Sequence, residues 1–260
     1  MGSLRFQILA SGSKGNATLV WSDNTCVLID AGLSCKRILE RMDNSPVNPD
    51  DVCAIVVSHE HADHIKGVGV FSRRYRVPVY FSEGTFNCLP RSVGNLHERR
   101  LFFRGRRFSI GDLTFFPFSV SHDAEDPVGF IVNSNGRKLA LCTDLGIVTN
   151  LVRESLKGCH ALVIEANHEI GKLVEGPYPW HLKQRIKSRI GHLSNDDSLK
   201  LCQELYHSEL HVVEFAHLSE VNNSPEILSG KIKSRLSHSY WRYVTLEIAD
   251  QHTPGRVFEL

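Results

Sequence analysis

His59-Glu60-His61-Ala62-Asp63-His64 packs three histidines and an aspartate into six residues, directly after the apolar run Cys53-Ala54-Ile55-Val56-Val57. A short apolar run that breaks into polar residues predicts a buried strand with a loop at its end. Imidazole suits zinc, iron and manganese, and a carboxylate close by joins the same site or serves a second ion. The stretch reads as a metal-binding loop. A merely solvated polar loop is the plain alternative, and chance rarely spaces donors in this way.

The 260 residues are 42% hydrophobic with a formal net charge of +1, which suits one large α/β domain with a proper core or two tightly joined halves. Near-zero net charge argues neither for nor against nucleic acid, so any basic surface is local. Seven cysteines at positions 26, 35, 53, 88, 142, 159 and 202 form no Cys-x-x-Cys pair and sit in apolar stretches. They are expected to be reduced core residues of a cytosolic protein. No apolar run approaches the ~20 residues of a membrane span, and the start lacks a signal-peptide pattern. Phe6 stands where a myristoylation signal needs Ser or Thr. The expectation is a soluble, cytoplasmic protein.

Strand-type runs fall at residues 5–9, 17–21, 25–30, 53–57, 77–81, 113–120, 128–132, 138–142, 161–165, 210–215 and 243–248. Helices are expected at 34–42, 64–75, 150–157, 179–190, 196–206 and 225–236. Strands bunched early and late among helices allow two sheets sandwiched between helix layers. The tail from 236 to 260 reads as an ordinary closing element.

Beyond the histidine loop, polar residues recur where expected strands end. Asp30 closes Val27-Leu28-Ile29, His122 follows Phe118–Ser121, Asp144 follows Leu139–Thr143, and His217 follows Val212–Ala216. Donors at strand ends converge on one rim of a sheet and are held by rigid elements, as a metal site requires. Singly, each is more often a cap, a turn or a core group.

In the order His-x-His-x-Asp-His, His, Asp, His, the set resembles the full ligand series of the metallo-β-lactamase fold hydrolases. That resemblance implies an αββα sandwich. It implies His59, His61 and His122 at a first metal, Asp63, His64 and His217 at a second, and Asp144 bridging both. Asp30 is the early aspartate that orients the loop. The metals implied are two divalent ions, zinc or manganese, with iron also suited. A metal pair can orient water and neutralise charge on a phosphodiester, ester, amide or thioester, so the donors alone predict hydrolysis and leave the substrate open.

Three stretches narrow it. Gly191-His192-Leu193-Ser194-Asn195 is similar to a Gly-His-Ser-Thr segment that supplies a non-ligand histidine in transfer-RNA 3′-processing members of the fold. His192 is therefore a candidate proton donor steered by Glu165, and with Asp63 these make the expected catalytic set; the alternative is that His192 only caps a helix with Ser194. Residues 176–190 carry no acid, and Lys183, Lys187, Arg185 and Arg189 form two basic rows behind Tyr178 and Trp180. That is a nucleic-acid surface or a solvated basic face. Residues 91–107 hold six arginines against Glu98, with Phe102 and Phe103 among them.

The strings Leu9–Asn16, Leu28–Ser34, Ser58–Gly67, Ser121–Gly129, Thr143–Gly146, Glu165–His168, Tyr178–Trp180, Gly191–Asn195 and Ala216–Asn223 resemble the YycJ/WalJ-type subgroup of this fold. The likeness runs from about residue 5 to 225. It implies a cytoplasmic 5′-to-3′ exonuclease on double-stranded DNA, tied to DNA repair. The glycine-rich Ser11–Asn16 loop would offer Ser13 and Asn16 to phosphate, or be an ordinary tight turn. His168 is a substrate contact or a structural histidine. Glu169–Leu173 departs from the subgroup's acidic stretch, which weakens any role for Glu169. Only 73 positions separate Asp144 from His217, too few for an inserted β-CASP domain, so residues 1–260 are expected to be one hydrolase domain. The runner-up is a small-molecule hydrolase of the same fold, a cyclic phosphodiesterase, lactonase or thioesterase. A scaffold with a vestigial site is the non-enzymatic alternative, which the intact donor set disfavours.

Overall fold

The computed structural model describes residues 3–260. Among them lie fourteen strands in two sheets of seven. The first sheet holds β1 (Arg5–Ala10), β2 (Ala17–Trp21), β3 (Cys26–Ile29), β4 (Val52–Val56), β5 (Pro78–Phe81) and β6 (Glu98–Leu101), and β14 (Phe258–Glu259) lies on the outer edge of β1. The second runs β13-β12-β11-β10-β9-β8-β7, from β7 (Phe108–Ile110), β8 (Leu113–Ser119), β9 (Val128–Ser134) and β10 (Arg137–Cys142) to β11 (Ala161–Glu165), β12 (Val212–Ala216) and β13 (Thr245–Ile248). Each sheet begins with antiparallel hairpins and continues in parallel strands from β3 and from β10.

Alternation along the strands builds three apolar layers. In β12, Val212 and Ala216 face the space between the sheets, whereas Val213 and Phe215 join the outer layer. Phe6, Phe115 and Phe130 fill the middle. The outer side of the first sheet is covered by α1 (Cys35–Met42) and α3 (Val68–Tyr75). On the second sheet lie α5 (Asn150–Leu156), α8 (Asn195–Leu205) and α9 (Pro225–Arg235). Shorter helices α2 (Ala62–Ile65), α4 (Glu83–Asn87), α6 (Ile170–Glu175) and α7 (Trp180–Lys187) top the loops. Each fully buried Leu, Ile or Phe contributes about 1.5–3 kcal/mol, so the layers hold the two sheets face to face. The architecture is an αββα sandwich, as expected. No helix among the described residues is long and apolar enough to cross a membrane.

The single helix expected at 64–75 is split. Gly67 donates its N–H to the Ala31 carbonyl, and a Cβ there would come within 2.3 Å of the Leu33 carbonyl oxygen, so the chain closes one helical turn and starts again. Five further elements carry too little pattern to read: β6 is exposed at every residue, β7 has three residues, β14 has two, and α4 and α6 have five and six.

One side chain in the middle layer is polar and deeply buried. Glu214 lies on β12, 2% exposed, and its Oε2 has no hydrogen-bond partner. Burial, helped by Glu247 and opposed by Arg256, raises its carboxyl to about 8. The unfolded chain releases that proton near its ordinary value while the folded chain keeps it. Stability is therefore complete in acid and drains as pH climbs toward the folded value. Glu214→Gln should raise Tm and stabilise the fold by a margin that grows from pH 5 to pH 8, on the order of a few kcal/mol at the upper end. Thermal melts at both pH values check this, and a margin that does not change with pH would refute a protonated Glu214.

Candidate metal centre

The carboxyl ends of the parallel strands, and of β8 beside them, open on one rim. Asp30 leaves β3, the 59–64 loop leaves β4, His122 follows β8, Asp144 follows β10, Glu165 ends β11, and His217 follows β12. Asp30, Asp144 and His217 all adopt left-handed backbone, with φ of 56°, 56° and 57°. Such angles are unfavourable for residues other than glycine and cluster where function demands them.

The structure brings every expected donor together. His59, His61 and His122 offer ligand atoms within 4.8 Å of one another, and so do Asp63, His64 and His217. His59, His64 and Asp144 form a third such group. Asp144 sits between the two triads, its Oδ2 3.2 Å from His64 Nε2 and its Oδ1 3.8 Å from His122 Nε2.

Four of the histidines follow one rule: Nδ1–H is donated to the protein and Nε2 is turned toward the other donors. His64 Nδ1 donates to Asp30 at 2.8 Å, and His217 Nδ1 to Glu165 at 2.8 Å. His122 Nδ1 donates to the Gly191 carbonyl at 3.1 Å, and His59 Nδ1 to Ser58 Oγ at 3.0 Å. Ser58 in turn donates its hydroxyl and its backbone N–H to Asp30. Such outer acceptors fix the tautomer and aim the free nitrogen. His61 is the exception, with Nδ1 facing His122 Nε2 at 3.2 Å. His59 Nε2, His217 Nε2 and Asp144 Oδ2 are buried and make no hydrogen bond. Buried orphans cost about 1–3 kcal/mol each, and imidazole and carboxylate donors are what a divalent cation requires. The residues fit a metal pair.

Electrostatics agree. Burial alone would raise the Asp144 carboxyl, yet the charges of His217 and His64 outweigh it and hold it well below the carboxylate range. Burial alone would lower His64 and His217, but Asp30 and Asp144 push the first well up, and Asp144 with Asp63 and Glu165 does the same for the second. His59 goes the other way, pushed well down by burial and by its histidine neighbours. A cation would replace the protons these carboxylates now hold on the two rings.

Glu165 is fully buried and accepts from His192 Nδ1 and His217 Nδ1, both at 2.8 Å. It is held at about 2: burial opposes ionisation, and His192 and His217 more than offset it. It touches rings, not open cleft, so its place is that of a positioning group. His192 lies at the cleft with its ring 5.1 Å from those of His122 and His217. It does not cap α8; Ser194 alone does that, accepting from Asp197 N.

The expected substrate contacts divide. Ser13 is exposed on the glycine-rich loop. Asn16 is buried, its amide on the Gly12 carbonyl and within 3.1 Å of His64 Nε2 and 3.4 Å of Asp63 Oδ2. His168 is 2% exposed, its Nδ1 has no partner, and burial lowers it to about 4. Lys183 Nζ donates to the Val174 carbonyl, and Arg185 pairs with Asp123. Lys187 and Arg189 are exposed, and Trp180 is 72% exposed.

Several residues escaped sequence reasoning. Asp123 moors α7 to the His122 loop through Arg185, with Oδ1 3.4 Å from His122 Nε2. Gln251, from the tail, accepts from Lys14 N and donates to the Gly15 carbonyl, while Arg41 ties Leu9 and Gln251 carbonyls together. Ser11, so held, accepts from His217 N. No local pattern announces a partner more than two hundred positions away; only the adjacency of Asp123 to His122 was a signal.

The sequence profile of the β-lactamase superfamily domain matches residues 25–213. The chain is 41% identical over 226 residues to exodeoxyribonuclease YycJ of Bacillus anthracis, covering 86% of each. It is 34% identical over 239 residues to exodeoxyribonuclease WalJ of Streptococcus pneumoniae, covering 90% of this chain and 89% of that one. The metallo-β-lactamase fold protein YhfI of Bacillus subtilis superposes over the whole of both chains with a TM-score of 0.75 at 15% identity.

Two substitutions test the scaffold of the centre. Glu165→Gln removes a charge-assisted acceptor shared by two rings, and metal affinity should fall about 10–100-fold in chelator competition. Unaltered affinity would show that the Nδ1 contact to His217 does not matter. At Gly32 a Cβ would lie 1.6 Å from the Asp63 carbonyl oxygen. Gly32→Ala should lower both Tm and metal content, and a variant with native metal content would show that the 59–64 loop can retreat.

Proposed function

The chain belongs to the metallo-β-lactamase superfamily, and on that premise we propose that it is a dinuclear-metal phosphodiesterase that digests nucleic acid, as a 5′-to-3′ exonuclease on double-stranded DNA with a place in DNA repair. The observation that carries this reading is the pair of donor triads with Asp144 between them, four of the five imidazoles aimed by an acceptor behind the ring. The relatives named exodeoxyribonucleases, matched over most of their length, supply the substrate class.

The ligand assignment is the expected one: His59, His61 and His122 for one ion, Asp63, His64 and His217 for the other, and Asp144 shared. Zinc or manganese, with iron as a further choice, would activate water and neutralise charge on the phosphodiester when bound. The protein's own groups do the rest. Asp30, Ser58, Glu165 and the Gly191 carbonyl keep the rings from swinging. His192, its Nδ1–H on Glu165, presents Nε2 as the group that hands a proton to the leaving oxygen, a contribution of roughly 10²–10⁴-fold. The chain acts as one hydrolase domain without a β-CASP lid, so its own loops and α7 hold the polymer, and a cytoplasmic location suits such a substrate.

End-labelled double-stranded DNA, single-stranded DNA and RNA offered to metal-stripped protein, resupplied with Mn²⁺ or Zn²⁺, provide the test, with His61→Ala as control. Stepwise loss from the 5′ end of the duplex, dependent on metal and abolished in the control, is expected. Hydrolysis of a simple phosphodiester or lactone with every polymer left intact would replace this reading with that of a small-molecule hydrolase.

A further inference from the structure

The basic rows of α7 separate once folded. Lys183 and Arg185 are committed to the Val174 carbonyl and to Asp123. Lys187, the last residue of α7, and Arg189, past the end of a helix expected to run to 190, line a cavity of about 390 Å³ on the outer side of the second sheet, together with Arg153 from α5 and Lys200 from α8. Two acids also line it. Glu204 is taken by Arg153 at 2.7 Å, and Asp197 accepts from Ser194 Oγ at 2.7 Å while its N–H is capped by the same hydroxyl. Among the described residues no carboxylate lies within ion-pair reach of Lys187, Arg189 or Lys200, and what sets the three apart is that they line one cavity. Four cations against Asp197 and Glu204 leave the concavity with an excess of positive charge that favours an anion.

The position of the cavity says which anion. Its rim is the strip of backbone that sets the metal centre: Gly146 lies two residues past Asp144, Leu193 follows His192, and both line the cavity. Gly146 N donates to the Ser121 carbonyl, and Ser121 Oγ donates to the Arg189 carbonyl, so the loops bearing His122, Asp144 and His192 meet along this edge. A polyanion leaving the metal centre on the His192 side crosses that strip. Ile147, Val148 and Leu201 add apolar wall on which a sugar can rest.

We propose that the Arg153–Lys187–Arg189–Lys200 cavity is a backbone-phosphate subsite that holds the nucleic acid beside the scissile bond, an assignment that rests on the nuclease reading above. Lys187 and Lys200 act as point charges on phosphate, and Arg189 adds a fork of donors. The subsite is blind to base sequence, since phosphate carries none.

The test is fluorescence-anisotropy binding of a duplex whose end linkages are phosphorothioate, so that it resists cutting, by the metal-loaded protein across a salt series. The unchanged protein, Lys187→Gln, Lys200→Gln, the double variant and Arg189→Ala are compared with Lys36→Gln, an exposed lysine on α1 in the opposite helix layer. Each cavity lysine should lower the slope of log K against log salt by about one and the double variant by about two, with Tm and metal content retained. The double variant should bind several-fold to tens of fold more weakly. If the unchanged protein binds and digests DNA but the double variant keeps its slope, or shifts no more than Lys36→Gln, the subsite is wrong and the nuclease reading stands. If the unchanged protein binds no duplex at any salt, the nuclease reading fails and the subsite falls with it.

Discussion

One buried carboxylate organises the rim. Glu165 accepts five hydrogen bonds: from the Nδ1 atoms of His192 and His217, and from the backbone N–H groups of Asp144, Leu145 and Leu193. An unpaired charge at that depth would cost several kcal/mol, so the anion compels its surroundings to arrive in order. Three adjacent parallel strands, β10, β11 and β12, and the loop before α8 are locked to one another by a group that never reaches solvent. Asp30 does the same for the other sheet, accepting from Ser58 and His64. The two halves of the donor set are thus built on two anions, one per sheet.

The metal centre is assembled with local strain as well as with contacts. Left-handed backbone at Asp30, Asp144 and His217 costs of order 1 kcal/mol or more apiece. The sandwich beneath them supplies that energy through its three apolar layers. A softer scaffold would let those turns relax toward extended backbone and carry the carboxylates and the ring away from the centre. The rigidity of the sheets and the convergence of the donors are therefore one property.

Most of this was legible because the chemistry is concentrated at strand ends. Largely apolar runs at 27–29, 53–57, 139–142 and 212–216 mark where the strands stop, and Asp30, the histidine loop, Asp144 and His217 begin within two residues of those ends. Glu165 and His192 were legible as partners only through resemblance; nothing local ties residues 27 positions apart. The acceptors behind the rings were less readable still, since the Gly191 carbonyl is a backbone atom that any residue offers. Charge patterning overstated α7: four cations at helical spacing look alike in sequence, yet Val174 and Asp123 take two of them. Phe102 and Phe103, neighbours between arginines, end on opposite sides of the surface, the first 3% exposed and the second 57%. Edge strands such as β6 show no periodicity because neither face is buried.

The closing segment ties function to the order in which the chain is made. All seven donors lie before residue 218, but the Ser11 hydroxyl behind His217 is fixed by a hydrogen bond from Ser11 N to the Asp250 carbonyl, and the glycine-rich loop hangs on Gln251. β14 then seals the free edge of β1. On the ribosome these residues emerge after every donor, so a nascent chain carries its histidines and carboxylates without the strap that seats them. The native donor geometry therefore depends on residues made after the whole donor series, and a chain that stops short of Asp250 and Gln251 holds its seven donors without their seat.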